Sequence, residues 1–251
     1  MFRHSNTRAI VLHTHRIGEF HKGVTLLTRE MGILTAIAHG AKKPKSRLSS
    51  ATEPFCVSRV YLYHDPVKGG YKIKDMAIQC IFERLRESLV LYYTASLWTE
   101  VILRSYGGGD STPSVFELLI ACLQLLEKHR EEKVPYVSVQ FLWRFLHLSG
   151  FSPDLDTCDM CGRHLGPEET AFLSPRSVGF NCERCSENGT YRLNPGSRRF
   201  LAATSGRRLE EAMRFSLSEG SLPELKSVLY EIVQRVLEFR LNSLVCGQGI
   251  L

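Results

Sequence analysis

Two C-x2-C pairs constrain this chain more tightly than any other feature. They are Cys158 with Cys161 and Cys182 with Cys185, separated by 20 residues. Thiolates three positions apart on a tight turn grip one ion from the same side, and a second pair closes a tetrahedron. The spacing predicts one structural four-cysteine zinc site (Zn2+). Four thiolates leave no open coordination position, so such a zinc staples a fold and does not react. The same sulfurs would also suit an iron–sulfur centre. Two disulfides would need an oxidising compartment, and residues 1–17 hold no apolar stretch of the kind that directs export. Gly162, directly after Cys161, lets the first turn aim backbone N–H groups at sulfur; Ser186 takes the matching place in the second pair, so that support is present once. Cys56, Cys80, Cys122 and Cys246 stand among apolar neighbours and read as small buried hydrophobes.

Charge is placed as unevenly as the thiols. Residues 1–80 hold 13 Lys/Arg against 5 Asp/Glu and the remainder 19 against 21, so the net +6 comes entirely from the first third. A basic domain attached to a neutral one points to a polyanionic partner, nucleic acid above all; a merely soluble basic surface is the plain alternative. The densest stretch, residues 40–47, carries Lys42, Lys43, Lys45 and Arg47 among glycine, proline and serine. Such a run cannot be a core element, because its charges repel without a counter-anion. Lys and Arg bind phosphate as point charges or forks, and Ser46 can donate a hydrogen bond. Arg16, Lys22 and Arg29 would add charge if the surrounding strands close into a barrel, and Phe20, Tyr61 and Tyr63 are candidate stacking surfaces for unpaired bases. A core position is the competing reading for those aromatics.

Residues 9–14, 24–28, 33–39, 55–63 and 71–77 are rich in Val, Ile, Thr and Tyr and are separated by Gly and Pro turn signals. Five short strands with one long basic connection suit an OB-type barrel. The period changes near Cys80. Residues 81–106, 115–129 and 135–148 carry apolar stripes at helical spacing, broken at Gly107–Gly109 and Gly150, with Thr112 as N-cap before Pro113. After the cysteines, Asn194-Pro195 restarts a helix. Ser221-x-x-Glu224 has the form of a capping box opening a last helix with Leu225, Val228, Leu229, Ile232, Val236 and Leu244 on one face. The fold class expected is therefore multidomain α+β: a barrel over 1–80, a helical domain over 81–152 and 194–251, and the four-cysteine module inserted at 153–193. No uncharged apolar run reaches the length of a membrane span.

No P-loop, G-x-G-x-x-G or deaminase signature is present, and His4, His13, His15, His21 and His39 lack ligand spacing and read as surface residues. A zinc-dependent nucleic-acid enzyme would need a cluster of carboxylates that the sequence does not offer. An RNA-binding OB protein stays open as an alternative.

Several segments together resemble the bacterial RecO recombination mediators. They are Gly18-Glu19 with residues 24–32, then 38–48, Glu53-Pro54-Phe55, residues 150–156 leading into Cys158-x-x-Cys161-Gly162, residues 172–175, and Gly179-Phe180-x-Cys182-x-x-Cys185. His39 stands where many relatives have lysine, and the last 60 residues match only as helices. The resemblance implies an OB-fold, a helical domain and an embedded zinc module in a cytoplasmic, nucleoid-associated protein. It implies a role in DNA repair by the RecF pathway without nucleotide hydrolysis. Such proteins bind single- and double-stranded DNA and anneal strands coated by single-strand-binding protein. They recognise that protein's acidic C-terminal tail, and act with RecR to help load RecA. A tail of this kind needs an apolar pocket edged by cations, for which Arg84, Arg86, Arg144 and Arg235 of the helical region are candidates.

Overall fold

The computed structural model describes residues 4–67, 69–105, 112–186 and 191–251; the Gly107–Gly109 break expected between two helices lies outside them. Five strands, β1 (His4–Ile17), β2 (His21–Thr28), β3 (Gly32–Ala38), β4 (Val57–His64) and β5 (Tyr71–Cys80), form a closed barrel of order β1-β2-β3-β5-β4. A short helix, α1 (Leu48–Ala51), lies between β3 and β4. All pairings are antiparallel except β3 with β5. Closure rests on β1, which is much longer than its apolar core suggests: residues 4–10 pair with β4 and residues 9–17 with β2, with a bulge between Val11 and His13. Bulges bend a strand and raise its twist, which is how one strand serves two walls. Inward positions alternate as expected of a barrel: Val24 and Leu26, Leu34 and Ala36, Val60 and Leu62 are buried in the shared core.

Strand β4 starts two residues later than expected. Phe55 takes a left-handed φ of 65° and its N–H bonds to Val11 O at 2.8 Å, so residues 55 and 56 are a turn that hands the chain to β1.

The chain divides into two compact units, residues 1–87 with 105–117, and residues 88–104 with 118–251. The expected single helix over 81–106 is two, α2 (Arg84–Glu87) in the first unit and α3 (Leu89–Ser105), which contributes residues 89–104 to the second. Arg84 and Arg86 therefore go with the barrel. The second unit also contains most of α4 (Thr112–Lys128), then α5 (Val134–Leu148), and after the cysteine module α6 (Pro195–Ser205), α7 (Leu209–Ala212), α8 (Ser221–Leu237) and α9 (Asn242–Cys246). Helix α5 is its centre, with Phe141 stacked on Trp98 of α3 at 4.7 Å. The indole N–H groups are satisfied where they are buried: Trp98 donates to Ser138 Oγ and Trp143 to Ser205 Oγ.

Asn194 caps α6, accepting the Ser197 N–H at 2.9 Å. The expected capping box of α8 does not form. Ser221 is the first helical residue, and Gly220 before it offers no side chain. Glu224 instead accepts from Arg192 and from Asn194 Nδ2. Helix α8 ends at Glu238, which is left-handed at φ 51°, so Leu244 lies on the separate helix α9, half-buried. Glu100 caps that helix, accepting the N–H groups of Asn242 and Ser243. Cys56 and Cys122 are buried as expected, but Cys80 is half-buried and Cys246 exposed.

Asn194 thus serves two helices at once. Asn194→Ala should cost about 1–2 kcal/mol from the lost cap alone, read by urea unfolding. Asn194→Asp should not restore the loss: it keeps the acceptor for Ser197 but sets a carboxylate oxygen where Nδ2 lies, 3.0 Å from Glu224 Oε2, where the like charges repel.

Candidate metal centre and nucleic-acid interface

Each C-x2-C pair sits on a turn built by the backbone. In the first, Thr157 bridges His164, Cys158 N–H bonds to Arg163 O, and Gly162 N–H returns to Cys158 O at 2.9 Å with φ 71° at Gly162. The left-handed glycine lets this turn close between its two ligands. The second pair follows β7 (Phe180–Asn181), on a 3-10 turn where Cys185 N–H bonds to Cys182 O. β7, β6 (Ala171–Leu173) and β8 (Arg192–Leu193) make a three-stranded sheet, and Asp159 N–H bonds to Phe180 O at 2.8 Å, locking one turn to the other.

The four sulfurs all lie within 4.8 Å of one another. A tetrahedron of ~2.3 Å metal–sulfur bonds has edges of about 3.8 Å, so a small inward movement encloses an ion, and the four cysteines together can hold a metal. Cys158 and Cys182 are buried, Cys185 half-buried and Cys161 exposed.

The surroundings favour thiolate at two of them. Burial pushes the Cys158 thiol up, but the N–H groups of Cys182, Cys161 and Met160 outweigh it and hold the thiol below its usual range. Cys182 is drawn down to about 6, chiefly by the Arg163 guanidinium. Among the described residues Arg163 Nε is buried without an aligned partner, while its Nη1 bonds to Glu169 at 3.2 Å. Cys185 is pushed up to about 12, first by its hydrogen bond to Cys182, and so holds a proton that a metal must displace.

One buried cation ties this module to the helices. Arg198 of α6 is only 5% exposed. Its guanidinium donates to the carbonyls of Leu155, Gly166, Glu169 and Leu165 and to Asp156 Oδ1. Neither Arg163 nor Arg198 was singled out in the sequence. Only the C-x2-C pattern has a recognisable spacing; of the arginines supporting it, Arg163 closes the first turn and Arg198 comes from helix α6.

In the barrel unit, residues 39–47 form turns, and Lys42, Lys43, Lys45 and Arg47 are exposed. None of the four makes an ion pair among the described residues. The segment is nevertheless fixed at its base: Lys42 N–H bonds to Phe20 O, Gly40 N–H to His21 Nδ1, and Lys43 Nζ lies 5.7 Å from the Phe20 ring. Arg16 is exposed, with Nε on Gly18 O. Lys22 and Arg29 are differently placed. Lys22 Nζ is 2.7 Å from Glu53, with its side chain 13% exposed. Arg29 pairs with Glu117 at 2.8 Å. Phe20 and Tyr61 are each 40% exposed and Tyr63 is half-buried, so all three aromatics lie at the surface. Two cations absent from the expected set, Lys72 and Lys74, have Nζ 5.8 and 5.2 Å from the Tyr63 ring. They also lie near His39, which burial, with His21 and these lysines, holds below the usual imidazole range. Their outward alternation with the inward Ile73 was the available signal.

Both halves of the chain match known families. Residues 1–80 match the family described as "Recombination protein O N terminal" and residues 86–244 the one described as "Recombination protein O C terminal". The DNA repair protein RecO of Bacillus subtilis (strain 168) is 33% identical over 222 residues, covering 88% of this chain and 84% of that protein. The DNA repair protein RecO of an Exiguobacterium species is 30% identical over 234 residues, covering 93% and 91%. That of Caldanaerobacter subterraneus is 27% identical and covers 96% of each.

Metal retention should depend on pH in one direction. The Cys158 thiol is held below its usual range and that of Cys182 is drawn down to about 6, so both favour the thiolate that metal needs; protons compete with the ion for all four sulfurs, and metal is held less tightly as pH falls. Metal content after dialysis at pH 8 and pH 5 checks this. Cys182→Ser should lose the metal at both pH values and expose residues 153–193 to protease, leaving the barrel folded. With two family models covering most of its length and relatives at this identity over most of theirs, the chain belongs to the RecO family of DNA repair proteins.

Proposed function

We propose that this chain is a non-enzymatic mediator of DNA repair and recombination. It binds single- and double-stranded DNA through its barrel, brings complementary strands together, and acts with RecR to help place RecA on DNA coated by single-strand-binding protein. The observation that carries the DNA part is the loop 40–47: four exposed cations without ion-pair partners among the described residues, on a base fixed to the β1–β2 turn. Cations held this way meet phosphate with little ordering left to do, and carry no base preference. Lys42, Lys43, Lys45 and Arg47 are its phosphate contacts, with Arg16 beside them. Lys22 and Arg29 are left out of that set, because Glu53 and Glu117 already take their charge.

The metal is one zinc with a structural role, since four thiolates and no carboxylate or imidazole make up the donor set. It would hold the two turns together and supply no reaction. Strand annealing needs no nucleotide and no covalent step. Family membership is what supports RecR, RecA and the acidic tail of single-strand-binding protein as the partners proposed. Of the arginines considered for the tail, Arg144 is committed to the carbonyls of Thr204 and Arg207, and Arg235 to those of Ser174 and Ser177. The protein works in the cytoplasm at the nucleoid; no helix among the described residues is long and apolar enough to cross a membrane.

Replacing Lys42, Lys43, Lys45 and Arg47 together by alanine should weaken binding to single strands and duplexes alike. It should cut the log–log salt slope on single strands by up to about 3, roughly 0.7 for each phosphate contact. Annealing of protein-coated complementary strands without nucleotide should fall with it, and zinc content should not. A normally folded variant with unchanged affinity and slope would make the loop a solvated surface.

A further inference from the structure

The lysine loop leaves unexplained a second polar surface on the barrel, along the outer face of β4. Residues alternate there as in any barrel wall: Val60 and Leu62 point to the core, and Arg59, Tyr61 and Tyr63 point out. Tyr61 is 40% exposed, so its ring is open to solvent on the outer wall. At one end of the row, Lys72 and Lys74 flank Tyr63. At the other, Arg59 stands directly opposite Arg8 across the antiparallel pair, an arrangement that like charges disfavour. Arg8 is offset by Glu117 at 3.7 Å, but among the described residues Arg59 has only the neutral Asn6 amide, whose Oδ1 accepts at 2.9 Å. The two arginines, with Arg29 and Asn6, line an open cavity of about 440 Å³ whose acidic groups, Glu30 and Glu117, are engaged by Arg29. An anion beside Arg59 is what the arrangement lacks.

The geometry points to a single-strand track on β4, in which unpaired bases stack on Tyr61 and Tyr63 and a phosphate enters the cavity at Arg59. It rests on the reading that the barrel binds DNA and adds a second site to it. Outward residues of one strand repeat every ~6.8 Å, twice the 3.4 Å per base of duplex DNA, so two successive rings suit an unstacked strand and not a duplex. Asp75 lies opposite Tyr61 on the β5 side and Asn6 on the β1 side, so beside Tyr61 the strand's phosphates run on the β1 side. The face of β2 and β3 that OB-folds commonly use shows Thr25, Thr35 and Ile37 between its ends, with the His15 ring packed over Gly23, where a Cβ would come within 2.2 Å of it.

The test uses the full chain, a labelled oligo-dT and a duplex of equal length. Tyr61→Ala/Tyr63→Ala should weaken single-strand binding at least about tenfold, given the roughly 5- to 150-fold worth of one stacked base, and leave duplex binding within about twofold. Tyr61→Phe/Tyr63→Phe should bind as wild type, because the ring and not the hydroxyl is used. Arg59→Ala should lower the single-strand salt slope by about 0.7, and Asp75→Asn should not weaken binding. Cross-linking of a 5-iodouracil strand to the wild-type protein should give adducts at Tyr61 or Tyr63, a readout that needs no variant to fold. Equal effects on both ligands, no effect on either, or adducts confined to Phe20 and the lysine loop would overturn the track. The quadruple loop variant is read on both ligands in the same assay. Its loss of both with the tyrosines inert keeps the DNA-binding loop and removes the track, and wild-type protein that binds neither ligand removes both.

Discussion

Bringing four thiol sulfurs within 4.8 Å of one another is the constraint around which the second half of the chain is organised. The strands beside them are two or three residues long and cannot form a core. The module is therefore fixed from two sides: by what the sulfurs share, and by Arg198, whose guanidinium binds four carbonyls and one carboxylate of the turns between residues 155 and 169. A buried cation is costly unless its donors are met, and here the cost is offset by carbonyls that short loops would otherwise leave unpaired. Metal and arginine solve the same problem, the lack of apolar area, by different chemistry.

The barrel uses charge in another way. Its pairing sorts the basic residues of the first 80 into those the fold has already neutralised and those it leaves open. Lys22 holds Glu53, Arg29 holds Glu117, and Lys72 holds Asp65 at 2.9 Å. The cations of the 40–47 loop, together with Arg59 and Lys74, have no carboxylate partner among the described residues. A net charge counts these groups alike; a partner in solution meets chiefly the second set, since neutralised surface pairs add little to the field.

Much of this was legible in the sequence because the signals are local. Alternation at 60–63 and 34–37, glycine after Cys161, asparagine before Pro195 and a run of lysines between strands each reflect a physical preference acting over a few residues. The five strands, the Asn194 cap and the proximity of the four cysteines follow from them. The errors arose where a local pattern had a competitor elsewhere in the fold. Ser221 and Glu224 have capping-box spacing, but Asn194 and Arg192, about 30 positions away, take the Glu224 carboxylate. Cys246 sits among apolar neighbours in sequence but on an exposed short helix.

The sequence by itself determined the donor set of the metal site, the barrel's strands and the concentration of positive charge in its first third, because spacing, period and composition are properties of neighbours along the chain. Only the tertiary structure decided which cations are spent, that Arg8 and Arg59 face each other, that Tyr61 and Tyr63 share an outer wall with Lys72 and Lys74, and that Arg163 and Arg198 support the cysteines. Those are matters of register and closure: pairing across strands and turns brings together residues 6 to 88 positions apart, and no pattern within one segment encodes which partner arrives.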